Sequence, residues 1–326
     1  MHYTNLGRSG LKVSRLCLGT MNFGWQLGED DSHAILDRAM HNGITFVDTA
    51  DMYGARDYEG TSESYIGSWF AKTGRRDEVV LATKVYQPMG EGPNDRGLSA
   101  RHIVAACEAS LRRLGTDRID LYQMHHVDRA TPWEEIWQAM DVLVAQGKVV
   151  YVGSSNFAGW HLAGAQAAAM RRHSLGLVSE QLKYSLLTRA VELEVVPAAQ
   201  ALGIGLLPWS PLAQGLLSGA LRKHRDAAAG RTMTHAAARV AEHRHVLEVY
   251  EAFCEDLGVH PATVALAWLL ARPGVTAPIV GPRTPEQLDH ALEALATTLT
   301  DDAEERLNAI FPPVGNGGPG PEAWAW

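Results

Sequence analysis

The sequence predicts an α/β fold, a (β/α)8 barrel with an N-terminal hairpin, an extra helix after strand seven and a C-terminal helix plus tail. Three observations carry this. Eight short runs rich in Val, Ile and Leu, bounded by Gly, Pro or polar residues, are spread over 326 residues. Segments of helical periodicity lie between them, so strand and helix alternate almost from end to end. No composition break or Ser/Gly linker interrupts the pattern, so residues 1–326 are expected to form a single domain. A doubly wound open sheet is the structural rival.

The first element is a hairpin over Tyr3–Val13, turning at Gly7–Gly10 and placed to close one end of the barrel. The eight strands follow at Arg15–Leu18, Ile44–Val47, Val79–Thr83, Ile119–Met124, Val149–Gly153, Leu177–Gln181, Ile204–Pro208 and Ala277–Val280. Several are apolar throughout, as a parallel sheet covered on both faces requires. Helices are expected at Asp31–His41, Ser99–Leu114, Thr131–Ala145, Pro261–Ala271 and Pro285–Leu295. Acids, a Ser cap or Pro open them, and Gly closes the first two. Residues 216–257 exceed an ordinary connection and read as a long loop followed by one extra helix, Ala236–Leu257. The tail FPPVGNGGPGPEAWAW is rich in Pro and Gly.

Composition narrows the function. Charged residues are 20% and hydrophobic residues 46%, an ordinary globular mixture. A net charge of −8 argues against nucleic acid or an anionic membrane as a standing partner. Cys17, Cys107 and Cys254 are odd in number and widely spaced, which fits a reducing cytoplasm without disulfides. The opening MHYTNLGRSGLKVSR lacks the apolar run of a signal peptide, and no stretch of about 18 apolar residues suggests a membrane span. No His, Cys and acid spacing suggests a metal site, and His235, His243 and His245 read as surface residues of the extra helix.

Barrel chemistry gathers where strands end. The second strand delivers Asp48, the third Lys84 and the fourth His125, and Tyr53 stands on the loop after Asp48. Each has a bland reading: a helix cap for Asp48, a packed aromatic for Tyr53, a structural imidazole for His125. Lys84 closes a buried run and must find a partner or lose its charge. Three ionisable residues on consecutive strands favour a shared site. There Asp48 would hold Lys84 charged, and the ammonium would lower the Tyr53 phenol from its usual value of about 10. Such a phenol suits protonation of a carbonyl oxygen during hydride transfer.

The motifs LGRSGLKVSRLCLGTMNFG, DTADMYG, VLATK, DLYQMH, VGSSNF, EQLKYSLL, PWSPLAQGLLSG and IVGPRTPEQL, in this order, give the chain a clear likeness. It resembles the aldo-keto reductases over nearly its whole length, in the long-loop bacterial branch related to potassium-channel β-subunits. The resemblance implies a catalytic tetrad of Asp48, Tyr53, Lys84 and His125. Tyr53 is then the general acid, Asp48 and Lys84 its tuners, and His125 the orienter of the carbonyl.

The same resemblance implies NADPH laid across the barrel mouth without a Rossmann domain. The sole GxGxxG match, Gly315 to Gly320, has no strand before it and no helix after it. Ser155, Asn156 and Gln181 match positions that hold the nicotinamide carboxamide, and Trp209 matches the aromatic stacked on the ring. Thr20, Met21 and Asp48 complete that side. Ser210, Pro211, Leu212, Gln214 and Gly215 form a loop whose N–H groups suit a pyrophosphate. Gly281, Arg283 and Gln287 open a helix suited to an adenosine phosphate, which favours NADPH over NADH. Where the family often reads QLxEN, Ala291 replaces the Asn.

For the substrate, Trp25, Tyr86 and Met89, with Met52 and Phe157, offer aromatic and apolar walls suited to an aldehyde, a ketone or a sugar. Arg222, Lys223, His224 and Arg225 on the long loop read as a solvated charge run, or as cations for a nucleotide-linked sugar. A cofactor-binding regulatory subunit with slight turnover and a redox-free isomerase barrel are the rival functions. The sequence is compatible with a monomer and with a ring of the channel-subunit type.

Overall fold

Strands buried on both faces assemble into one eight-stranded parallel sheet. The computed structural model describes residues 1–54, 60–222 and 235–314. The barrel strands are β3 (Cys17–Gly19), β4 (Phe46–Asp48), β5 (Val80–Val85), β6 (Ile119–Met124), β7 (Val149–Ser155), β8 (Leu177–Lys183), β9 (Gly205–Trp209) and β10 (Ile279–Val280). They run in the order β10-β3-β4-β5-β6-β7-β8-β9. The ring closes through the segment before β10. Thr276 N–H donates to Leu206 O at 2.9 Å, and Leu206 N–H donates to Gly274 O at 2.9 Å. The rival open sheet is thereby excluded. Six strands run beyond their expected C-terminal ends, which carries Gly19, Asp48, Lys84, Ser155, Lys183 and Trp209 into the ladder itself.

The hairpin pairs β1 (Tyr3–Asn5) with β2 (Lys12–Ser14) in antiparallel register. Its Leu6 and Val13 are buried with Cys17, Phe46, Leu121, Val178 and Leu207, so it plugs the N-terminal end of the barrel. Gly7 turns there with φ 54°, and a Cβ at this position would lie 2.5 Å from Val178 O. Only glycine fits both the space and the left-handed backbone.

Helices cover the outside: α1 (Glu29–His41), α2 (Thr61–Thr73), α3 (Ala100–Leu114), α4 (Trp133–Ala145), α5 (Gly159–Arg171), α6 (Val195–Leu202), α7 (His235–Glu242), α8 (Arg244–Leu257), α9 (Pro261–Leu270), α10 (Pro285–Glu293) and α11 (Asp301–Ile310). The expected Ser99 cap accepts from His102 N–H, and Thr284 caps α10 by accepting from Gln287 N–H. Pro132 sits at the N-cap of α4 rather than inside its first turn.

The sequence reading does not single out α2, α5 or α6. The Ala-rich α5 shows little contrast between faces, and Pro197 in α6 reads as a breaker although a first turn tolerates it. The single helix expected over Ala236–Leu257 is two. The chain leaves helical geometry at His243 (φ −102°, ψ 10°). That break lets α8 bury Leu247, Tyr250, Phe253 and Cys254 while α7 turns Arg239 onto the loop after β9. Lys223, His224 and Arg225, and the Gly315 to Gly320 stretch, lie outside the described residues. Among the described residues no helix is long and apolar enough to cross a membrane.

Candidate active site

Asp48 ends β4 as a buried carboxylate, and both of its oxygens are used. Oδ2 accepts from Lys84 Nζ at 2.6 Å. Oδ1 accepts from Gln123 Nε2 at 3.0 Å and from Gln181 Nε2 at 2.8 Å. The helix-cap reading of Asp48 therefore fails, since α2 begins only at Thr61. Lys84, fully buried, spends its remaining protons on Thr49 O at 2.7 Å and Tyr53 Oη at 3.1 Å. Burial works against its charge, but Asp48 and Tyr53 outweigh burial and raise the ammonium above its ordinary value.

Tyr53 is half-buried at the rim. The N-terminus of α2 fixes its backbone, because Ser62 N–H donates to Tyr53 O at 3.1 Å. The Ser62 hydroxyl also meets Thr20 Oγ1 at 2.8 Å and Thr49 Oγ1 at 3.0 Å, pinning the loops after β3 and β4 together. One expectation is corrected here. Burial pushes the Tyr53 phenol up, and Lys84 pulls it down by less, so the net shift is upward. The phenol is thus held protonated, and Lys84 lies 4.7 Å from its ring centroid.

His125 follows β6 directly and presents its ring edge to Tyr53, with centroids 6.0 Å apart and planes at 80°. Burial, Lys84 and His126 lower its pKa to about 3, so the imidazole is neutral at physiological pH. Its buried Nδ1 has no hydrogen-bond partner among the described residues. The structure thus brings Asp48, Lys84, Tyr53 and His125 to one rim. A neutral imidazole and a phenol backed by an ammonium can together receive and protonate an oxygen.

A second chain of contacts runs around the same rim. Asn156, left-handed at φ 60°, donates from Nδ2 to His125 O at 3.1 Å and to Ser155 Oγ at 2.9 Å. Its Oδ1 accepts from Trp209 Nε1 at 3.1 Å. Beyond Trp209, Ser210, Ala213 and Gln214 are left-handed with φ of 54°, 49° and 58°, and Gly215 has φ 93°. Left-handed residues in a tight loop turn peptide N–H groups outward, which suits an anion. Pro211 in this loop is buried, and Leu212 and Gly215 are half-buried. Arg239 of α7 reaches Gln214 Oε1 and, at 3.3 Å, Ala213 O.

Across the mouth, Arg283 is exposed before α10 and touches Gln26 Oε1 at 3.3 Å. Gln287 is drawn into the cap of α10, where its Oε1 accepts from Arg283 N–H at 2.8 Å. Gly281 O accepts from Asn22 Nδ2 at 3.1 Å. Thr20 is fully buried with its hydroxyl on Asp48 O, whereas Met21 is exposed. Ala291 is buried.

A model of the Aldo/keto reductase family matches residues 15–311. The chain belongs to the aldo/keto reductase family. It is 54% identical to a Bacillus subtilis protein named uncharacterized oxidoreductase YrpG, over 100% of both chains. It is 35% identical to the versiconal hemiacetal acetate reductase of Aspergillus parasiticus, over 96% of this chain and 98% of that one. It is 34% identical to a probable voltage-gated potassium channel subunit beta of Oryza sativa subsp. japonica, over 95% and 96%.

The expected substrate walls of this aldo/keto reductase divide. Trp25 is 59% exposed at the mouth, and Met52 and Met89 are half-buried. Tyr86 is half-buried against the His126 ring at 5.5 Å. Phe157 is no wall. It is buried in the core beside Trp133, because Glu180 Oε1 accepts its N–H and draws the loop inward. Sequence reasoning missed Gln123, which binds both Asp48 and Gln181. Its position two residues before His125, a spacing that puts both side chains on one face of the strand, was the available signal. Among the described residues of the reductase no three His, Cys, Asp or Glu side chains converge as a metal site.

Proposed function

We propose that the chain reduces an aldehyde or ketone, keto sugars included, to the alcohol, with NADPH as cofactor and Tyr53 as general acid. One observation carries this reading: Lys84, buried with Asp48, donates at once to Asp48 and to the half-buried Tyr53. Nothing in that chain is a nucleophile, and its one movable proton near the surface is the phenol's. Bound NADPH supplies the hydride. Tyr53 supplies the proton to the carbonyl oxygen, Lys84 stabilises the phenolate that remains, and the unspent hydrogen-bonding capacity of neutral His125 orients that oxygen.

The donor set fits the cofactor. Ser155, Asn156, Gln181 and Trp209 offer amide, hydroxyl and aromatic groups to a nicotinamide, with Thr20, Met21 and Asp48 alongside. The loop from Ser210 to Gly215, left-handed at Ser210, Ala213, Gln214 and Gly215, suits a pyrophosphate, and Gly281, Arg283 and Gln287 at the N-terminus of α10 suit the adenosine phosphate. The test is NADPH consumption by the purified protein across aldehydes, diketones and keto sugars. A second reading, a cofactor-binding regulatory subunit with slight turnover, draws on the relatives named as channel β-subunits. Cofactor binding without consumption by any carbonyl favours that reading. Failure to bind NADPH removes both.

A further inference from the structure

We propose that Lys183 makes this reductase selective for carbonyl compounds that carry a carboxylate; the inference rests on the carbonyl-reductase reading above. Side chains alternate along β8, so Ser179, Gln181 and Lys183 share one face. Gln181 reaches Asp48, which shows that this face looks into the barrel. Lys183 therefore stands on the same line, further out, at the lip of the mouth. Two residues of strand place it roughly 7 Å beyond Gln181. It is exposed, pairs in register with Trp209, and holds its ammonium 5.8 Å from the Trp209 ring. Trp209 is joined through Asn156 to His125, so the ammonium overlooks the space in front of the tetrad.

This cation has no anion of its own. The described lysines in ion pairs are Lys84 and Lys148. Asp51, also at this rim, is buried with neither carboxyl oxygen hydrogen-bonded among the described residues, and the other acids there are engaged elsewhere. Asp48 holds Lys84, Asp128 binds the N–H groups of Leu98 and Ala130, and Glu180 binds Ser154 and the loop after β7. Lys12 and Lys72 also lack ion pairs, and what sets Lys183 apart is its place at the lip beside Trp209, where its ammonium is open to an anionic ligand. One ammonium matches the single charge of a carboxylate.

The test compares KM for 4-formylbenzoate with KM for its neutral methyl ester, in wild type, Lys183→Met, Lys183→Arg and Lys183→Glu. The expected result is a preference for the acid of about fivefold in wild type, the size of one partly exposed ion pair. Lys183→Arg keeps that ratio, Lys183→Met brings it close to one, and Lys183→Glu inverts it. A ratio unchanged across the four proteins overturns the inference and leaves carbonyl reduction standing. If neither aldehyde nor any other carbonyl consumes NADPH, the carbonyl-reductase reading falls and this inference falls with it.

Discussion

Lys84 and Asp48 form a 2.6 Å ion pair with side-chain exposures of 0% and 3%, so neither charge has water to fall back on. A buried pair of this kind contributes little net stability while intact, yet removing one partner strands the other. Asp48→Asn should therefore cost about 3–5 kcal/mol in urea unfolding, and Asp48→Asn with Lys84→Met should cost clearly less than the two single changes summed. Additive losses would mean that the two residues are not coupled.

In the proposed reduction, the pH dependence follows from Tyr53 and His125. Tyr53 acts only while protonated, and its folded value lies above the ordinary 10.0, so activity is lost as pH rises through that higher value. His125, at about 3, stays neutral across the working range. The profile of kcat/KM should stay level between about pH 6 and pH 10 and fall only above it. A drop centred near neutrality would contradict both assignments.

Glu180 links burial to stability. Burial raises its carboxyl to about 8, although Ser154 and Phe157 N–H pull the other way. A raised carboxylic acid binds its proton more tightly in the folded chain, so this contribution is full below the unfolded value of about 4.3 and is lost as pH rises through 8. The melting temperature should decline between those limits. Glu180→Gln, which keeps an acceptor for Phe157 N–H, should flatten that decline by a few degrees. Parallel curves for the two proteins would show that Glu180 does not titrate in this window.

Arg283 is the exposed cation at the N-terminus of α10. If it reads the extra phosphate, Arg283→Ala should raise KM for NADPH by about tenfold and KM for NADH by far less. Equal changes in both would place the residue outside cofactor discrimination.

Much of the fold was legible because barrel strands buried on both faces write themselves as apolar runs. β6 matches its expected bounds, and the polar residues that close three consecutive runs, Asp48, Lys84 and His125, do meet at one rim. What escaped depends on contacts distant in sequence. Gln123 and Gln181 reach Asp48 from 75 and 133 residues away; strand spacing could place Gln123 on the face of His125, but it does not name Asp48 as the partner. The direction of the Tyr53 shift escaped because it is a balance between burial and Lys84, and only packing sets the burial. The break at His243 escaped because both sides of it are helical in periodicity, while the core chooses where the chain must turn.

Replacement of Tyr53 by Phe tests the central claim most directly. It removes one hydroxyl and leaves the ring beside Lys84 and His125. The measurement is kcat/KM for NADPH-dependent reduction of an accepted aldehyde, with cofactor affinity measured separately by tryptophan fluorescence. The account predicts a loss of at least about a hundredfold in rate with cofactor affinity nearly unchanged. Equal rates in the two proteins would contradict it and remove Tyr53 as the proton donor.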